Sequence, residues 1–339
     1  MILFYNPYES GFNSGATRRV AFLMSGLKEQ SIDCSFYNKD NLLESTILRK
    51  LVSIPVLNRL LYFIQILLFS LKGYSVVTEV ILAPVFMRNV HLTIHDLKAF
   101  DTKAKRGRGK KFLYTFFARI ARSIITVSDY TKSQLVELCG VSESKITVIY
   151  NGIRKVNLDL LANINTQKEY DFVYVSSFAK HKRHKQLIEA LPDSSSLLLI
   201  GQDFGELGSV ESTVTQLGSN VTILTNVESD EALYRSIKSA KIGVFPSVYE
   251  GFGIPVLEYF AADLFIVTSD IAPFKELGRF INLQHAADDQ ESLCCSLQDS
   301  LANYESKSPN EIEKLDIFNE LSLSKSLCDL VERSKRLQL

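Results

Sequence analysis

Apolar residues fall in short runs along this chain, separated by stretches with helical spacing. Residues 1–5, 76–82, 90–94, 123–127 and 145–149 form such runs in the first half. Residues 170–175, 197–200, 221–224, 242–245 and 264–268 form them in the second. Their length is that of buried strands. Val20, Leu23, Met24 and Leu27 recur at i, i+3, i+4 and i+7, which predicts an amphipathic helix. Leu187, Ile188 and Leu191 predict another. Ser128 is placed to cap a helix running to Cys139, and Ser229 to cap one with Asp230 and Glu231 in its first turn. Strand and helix alternate throughout, so each half is expected to be a parallel sheet wrapped by helices, an α/β protein.

At 339 residues the chain exceeds what one hydrophobic core serves, which predicts two domains. Asn151-Gly152 is a turn signal, and the polar stretch 154–169 reads as a linker, so the boundary falls between residues 1–153 and 154–319. The most apolar stretch, 54–71, is interrupted by Pro55, Asn58, Arg59 and Gln65. It falls short of the roughly 20 clean residues a membrane-spanning helix needs and predicts a buried or interfacial helix instead.

Net charge is zero but unevenly spread. Residues 1–155 hold 22 Lys and Arg against 11 Asp and Glu, and the remainder holds 16 against 27. A basic half beside an acidic half points to an anionic surface as partner. The run Lys103, Lys105, Arg106, Arg108, Lys110 and Lys111 concentrates that charge. The five cysteines show no metal-ligand spacing, as expected of a reducing cytoplasm. The chain opens directly on an apolar strand without a basic leader, so no signal peptide is expected.

The chemistry concentrates in residues 245–258, FPSVYEGFGIPVLE. A strand ends at Pro246. Gly251 and Gly253 allow a sharp turn and close approach of a ligand. Pro255 suits the first turn of a helix over 254–262, whose free N–H groups at Gly253 and Ile254 attract anions, phosphate above all. Glu250 stands just before the turn and Glu258 about one helical turn inside. Two carboxylates beside a phosphate site suit a ligand rich in hydroxyls, a sugar and a ribose. A second cluster, residues 176–185, lies between a strand and a helix and carries Lys180, His181, Lys182, Arg183, His184 and Lys185, an anion site by charge. Gly15 stands at the first strand-to-helix junction, where phosphate approaches in doubly wound folds, and His95 follows the strand 90–94 at its carboxyl end, where such folds bind ligands.

The string from Phe245 to Glu258 resembles the signature of the retaining glycosyltransferases of family 4, two glutamates seven residues apart with Gly-Phe-Gly after the first. Thr93-Ile94-His95-Asp96-Leu97 is similar to that family's histidine–aspartate motif. The resemblance implies the GT-B fold: two Rossmann-like doubly wound domains facing a central cleft, with the closing segment, 320–339, packing back on the first. It implies a sugar transferred from a nucleotide-diphosphate sugar to an acceptor hydroxyl with retention at the anomeric carbon. Glu250, Lys182 and His95 are then the catalytic candidates. Gly15, Ser177, Arg183, Gly251, Phe252, Gly253, Ile254 and Glu258 are the donor-binding ones. The position where relatives have an arginine before the diphosphate lysine is His181 here, and the one at the strand end is Ser177, so His181, Lys180 and Arg183 stand open as the second cation. Asp263-Leu264-Phe265 departs from the glycine, small residue and proline of relatives. No Asp-x-Asp motif stands in the expected places, so neither a metal nor another cofactor is expected. The setting by family habit is bacterial surface polysaccharide synthesis. The basic first half, the run Lys103 to Lys111 and the apolar segment 54–71 together point to a cytoplasmic enzyme peripheral on the inner face of the plasma membrane, with a lipid-linked glycan acceptor. No nucleic-acid partner is expected. A sugar-nucleotide epimerase on the same fold and a non-catalytic nucleotide-sugar binding protein are the alternatives.

Overall fold

The computed structural model describes residues 1–6, 15–37, 55–100 and 107–336. The turn after the first strand (7–14) and the basic residues Lys103, Lys105 and Arg106 lie outside the described residues. The chain divides into two compact units, Met1–Gly152 with Ile317–Leu339, and Ile153–Asp316.

Unit 1 runs β1 (Ile2–Tyr5), α1 (Gly15–Glu29), β2 (Cys34–Tyr37), α2 (Pro55–Leu71), β3 (Ser75–Thr78), β4 (Val90–Ile94), α3 (Gly107–Ile120), β5 (Ser123–Thr126), α4 (Asp129–Cys139) and β6 (Ile146–Val148). All pairings are parallel, in the order β2-β1-β3-β4-β5-β6. Side chains alternate between two cores, as a two-sided sheet requires. Leu3, Tyr5, Val76 and Ile124 pack on one face with Tyr62 and Ile66 of α2 and Ala118 of α3. Ile2, Phe4, Val77 and Ile125 pack on the other with α1. Ser128 caps α4 as its sequence predicts, its Oγ accepting from the Thr131 N–H at 3.1 Å.

Unit 2 runs α5 (Lys155–Asn163), β7 (Tyr170–Val175), α6 (His184–Glu189), β8 (Leu197–Ile200), α7 (Leu207–Leu217), β9 (Val221–Leu224), α8 (Asp230–Lys238), β10 (Ala240–Phe245), α9 (Ile254–Ala261), β11 (Phe265–Ser269), α10 (Ala272–Glu276), β12 (Leu283–His285) and α11 (Gln290–Asn303). Its sheet is again wholly parallel, ordered β12-β11-β10-β7-β8-β9. The last helix, α12 (Glu320–Arg336), belongs to unit 1.

Three local expectations change. The supposed linker 154–169 is largely helix, and it is part of unit 2. Leu161 and Asn157 are buried, Asn157 Nδ2 donates to Tyr234 Oη at 2.7 Å, and Arg154 pairs with Asp230 at 2.7 Å. Its apolar face is narrow, so the sequence reads as polar. The segments β2 and β12 are strands at sheet edges, too short and polar to register as apolar runs. The helix α2 has a dual character: Tyr62, Ile66 and Ser70 are buried, whereas Leu60, Ile64, Leu68 and Leu71 are exposed.

Two sequence oddities find physical reasons. Asp263 sits at φ 59°, a left-handed position that aspartate tolerates better than most residues. Its Oδ1 accepts from Lys307 Nζ at 2.5 Å and from the Asn310 N–H at 2.8 Å, which ties residues 307–310 to the end of α9. Gly26 is where α1 meets α12. A Cβ there would lie 2.1 Å from the Glu320 carbonyl oxygen and 2.4 Å from Ser324 Oγ. Gly26→Ala is therefore expected to force the two helices apart and cost unit 1 about 1–3 kcal/mol, the usual range for overpacking. Urea unfolding measures it; an unchanged midpoint would show that α12 docks without this contact.

Candidate active site

In an open parallel sheet the order of strands reverses at one place, and ligands bind outside the carboxyl ends of the strands there. In unit 2 the reversal lies between β7 and β10. The loop after β7 carries Ser177 to Arg183, and the loop after β10 carries Glu250 to Gly253. The fold thus joins two clusters some 70 residues apart in the chain. Lys182 Nζ meets Glu250 Oε1 at 2.5 Å, with the two side chains 14% and 11% exposed.

A buried polar scaffold holds that pair in place. Tyr174, on β7, donates through Oη to the Lys182 carbonyl at 3.0 Å and lies 2.9 Å from Ser247 Oγ on the other loop. Ser269, ending β11, donates to the Ser247 carbonyl at 2.5 Å, and the Val248 N–H donates to the His181 carbonyl at 3.0 Å. Tyr259 accepts the Val175 N–H at 2.7 Å, tying α9 to the end of β7. Burial holds the Tyr174 phenol far above its ordinary pKa, so it stays a neutral donor. The Lys182 ammonium also stands 5.5 Å from the centre of the Phe245 ring, a favourable cation–π contact.

The remaining residues take distinct places. Gly253, at φ 109°, caps α9, and a Cβ would lie 2.6 Å from Phe274. Gly251 is not at positive φ, so the turn rests on Gly253. Phe252 is buried and Ile254 half-buried. Proline stands in the first turn of α9 as expected, leaving the other first-turn N–H groups at an end that favours anions. Glu258 is 1% exposed and accepts from Tyr234 Oη at 3.3 Å, which links α9 to α8 and, through Asn157, to α5. Ser177 is half-buried and accepts the Ala179 N–H through its carbonyl. Arg183 has φ 59°, and its guanidinium is buried 3.8 Å from Asp288. Lys180 is exposed and, with Arg183, Lys185 and Glu206, lines a cavity of about 140 Å³. His184 packs between the rings of Tyr174 and Phe178, at 4.7 and 4.6 Å. Burial, and then the charge of Lys182, lower its pKa to about 4, so it is a neutral part of the packing.

In unit 1 the strand order reverses between β1 and β3. Gly15 is the first residue of α1. His95 follows β4; its carbonyl accepts from Thr131 Oγ1 at 3.2 Å, and its Nε2 lies 3.0 Å from Glu79 Oε1. Glu79 had no signal in the sequence, because it falls inside the run 76–82 that reads as one strand; β3 ends at Thr78 and leaves Glu79 at its carboxyl end. It lines, with His95, Asp96, Ile81 and Tyr114, a cavity of about 220 Å³. Asp96 itself accepts the Lys98 N–H at 2.9 Å, a local turn bond. Nearby, Arg19 is buried and donates to the carbonyls of Ile149 and Tyr150 and to Asn151 Oδ1. Burial lowers its pKa to about 10, against the opposing pull of Glu79. Among the described residues, no group of three or more His, Cys, Asp or Glu is arranged to hold a metal ion.

Two wholly parallel six-stranded sheets with switch-point loops of this kind are the architecture of the GT-B fold. Sucrose-phosphate synthase of Thermosynechococcus elongatus superposes with a TM-score of 0.78 at 16% identity, over 99% of this chain and 100% of that one. Anabaena Alr3699/HepE, solved in complex with UDP-glucose, gives 0.72 at 13% identity over 98% and 100%. At such identities the likeness is one of fold. Sequence is more specific. The family described as Glycosyltransferase Family 4 matches residues 14–155, and that described as Glycosyl transferases group 1 matches residues 161–279. The chain belongs to the group 1 glycosyltransferases of family 4 type and is a glycosyltransferase. The O-antigen chain mannosyltransferase RfbU of Salmonella typhimurium is 27% identical over 243 residues, which cover 69% of this chain and 67% of that one.

Lys182→Ala is expected to lower turnover about 10²–10³-fold, the usual loss for one preorganised charge-stabilising donor. Glu250→Ala is expected to abolish transfer and to lower the unfolding midpoint modestly, since it leaves the little-exposed Lys182 ammonium without its partner. Steady-state kinetics with calorimetry check both; near-normal turnover in either variant would take that residue out of the site. Gly253→Val is a poorer probe of the donor, because the strained φ and the Phe274 contact would damage α9 itself.

Proposed function

We propose that the protein transfers a sugar from a nucleotide-diphosphate sugar to a hydroxyl of a lipid-linked glycan, with retention at the anomeric carbon, in the building of a surface polysaccharide. The observation that carries this reading is the Lys182–Glu250 pair at the switch point of unit 2, beside the open N-terminus of α9. Lys182 and the first-turn N–H groups of α9 stabilise the charge that develops on the leaving diphosphate. Glu250, whose partner Lys182 then turns to phosphate, accepts from hydroxyls of the donor sugar. The leaving phosphate helps to deprotonate the acceptor hydroxyl on the same face, so the reaction needs no dedicated general base. The name of the Salmonella relative supports a polysaccharide setting, and the UDP-glucose bound to the Anabaena protein supports a nucleotide-sugar donor.

Product analysis with a panel of nucleotide sugars separates this reading from its rivals. Transferred sugar supports it; epimerised donor or unchanged donor would replace it with an epimerase or a binding protein. A donor at 100 times its Kd should also stabilise the protein by about 2.7 kcal/mol. Transfer is expected to survive EDTA, because lysine and helix dipole neutralise the diphosphate. Loss of activity in EDTA, restored by Mn²⁺ or Mg²⁺, would overturn the metal-independent part.

The lipid-linked acceptor places unit 1 against the inner face of the membrane. No helix among the described residues is long and apolar enough to cross one. Instead, α2 exposes Leu60, Ile64, Leu68 and Leu71, and α3 exposes Phe112 and Phe116. The buried sides of both helices share one core, so both lie on the same face of the sheet. An apolar helix face lying in the interface adds burial, and each basic residue near an anionic leaflet adds about 1 kcal/mol. Binding to anionic vesicles is expected at low salt, weaker as salt rises, and reduced when Lys105, Arg106 and Arg108 become Ser. Failure to float with anionic vesicles at low salt would leave a water-borne acceptor.

A further inference from the structure

Glu79 is the polar residue that the sequence did not single out and that the fold delivers to the switch point of unit 1. It lies just past β3, whose carboxyl end borders that of β1 at the reversal of strand order. Its carboxylate is held from two sides. Oε1 faces His95 Nε2 at 3.0 Å, and Oε2 accepts from Asn6 Nδ2 at 3.4 Å. Asn6 is itself fixed: it is 1% exposed, and its N–H donates to the Tyr37 carbonyl at 3.1 Å. The buried Arg19 guanidinium attracts the same carboxylate from further off. Among the described residues, the His95 ring is the basic group that Glu79 meets within 4.0 Å, an ion pair only when the imidazole is protonated.

We infer that Glu79 is a positioning residue, which fixes the ring orientation and the tautomer of His95. An ionised carboxylate only accepts hydrogen bonds, so the bond requires the proton on Nε2. That leaves Nδ1 as the ring nitrogen for substrate, and among the described residues no protein group bonds it. The ring is thus held through Nε2 and the backbone through the Thr131 bond to the His95 carbonyl, two anchors from different elements. The cavity of about 220 Å³ beside the ring has carboxylates of Glu79 and Asp96 at its polar side and Ile81 and Tyr114 at its apolar side. Such a lining rejects anions even though unit 1 is basic overall, and suits a neutral, hydroxyl-bearing group. An imidazole whose direction and tautomer are preset loses less freedom when such a group arrives. Metal-ligating histidines depend on the same kind of partner, whose loss costs about 10–100-fold in metal affinity or activity, and that range serves as the scale for His95.

The inference rests on the transferase reading in that His95 touches substrate, and the test has one arm that does not need activity. In the whole ligand-free protein labelled with ¹⁵N-histidine, and with the His95 signals assigned by their loss in His95→Gln, His95 is expected as the Nε2–H tautomer. Glu79→Leu is expected to give a mixture. In transfer assays Glu79→Leu is expected to lower kcat about 10–100-fold with donor KM nearly unchanged. The double variant Glu79→Leu/His95→Ala is expected to be no worse than His95→Ala alone, because a residue that acts only through His95 has nothing left to act on. Where leucine prevents folding, Glu79→Gln replaces a pure acceptor by a group that also donates, and the tautomer preference should weaken. An Nδ1–H tautomer in the wild type, an unchanged tautomer in both variants, or losses that multiply in the double variant would each overturn the role of Glu79. Absence of sugar transfer by the wild type would instead remove the transferase reading, and the tautomer measurement would still judge Glu79.

Discussion

A wholly parallel sheet with right-handed crossovers can grow in either direction from a starting strand, but only by sending its helices to opposite faces. Where the direction reverses, two neighbouring strand ends release their loops away from each other and leave a crevice. Both sheets of this chain obey that constraint, between β1 and β3 and between β7 and β10. The residues assigned to the chemistry follow from it. Lys182 and Glu250 meet because they leave adjacent strands at the reversal, and Asn6 and Glu79 meet for the same reason in the other unit.

An ion pair so little exposed is stable only when its geometry is enforced, since desolvating two charges costs several kcal/mol each and their attraction must offset it. Here the enforcement is neutral. The Tyr174 hydroxyl, the two serines at 247 and 269 and the zipper from Val248 to His181 join the two loops without adding charge. The pair is therefore free to exchange its partners for a ligand. In the proposed reaction phosphate competes for the lysine and hydroxyls for the glutamate, so one bound diphosphate sugar would replace both halves of the bond at once. The same logic runs through His95. Its neighbours are arranged to leave one ring nitrogen open while the other is held by Glu79.

Much of this was legible in the sequence, and for identifiable reasons. β4, β7, β8 and β9 begin and end where the runs read from the sequence do, and β8, apolar and buried throughout, shows why: a strand in the middle of a parallel sheet is covered on both faces. Serine caps and a first-turn proline are local, so Ser128, Ser229 and Pro255 could be placed without knowing the fold. The glutamate–glycine string around Glu250 carries its meaning in a few adjacent residues. By contrast, α5 reads as a linker because its two buried residues, Asn157 and Leu161, make a stripe too narrow for helical periodicity to show.

What the sequence determined by itself is most of the inventory: the apolar strands, the serine-capped helices, the family and the residues that bear charge near strand ends. What only the tertiary structure decided is which of those charges meet. The basic cluster left His181, Lys180 and Arg183 open as the second cation beside Lys182; the fold turns Arg183 inward beside Asp288, leaves Lys180 on the surface, and gives Lys182 to Glu250. His95 and Glu79 are 16 positions apart, each just past the end of a different strand, and Asn6 is 73 positions from Glu79. Local periodicity reports whether a residue is on a strand or a helix. Strand order, which is set by how the whole sheet buries its two faces, fixes its neighbours.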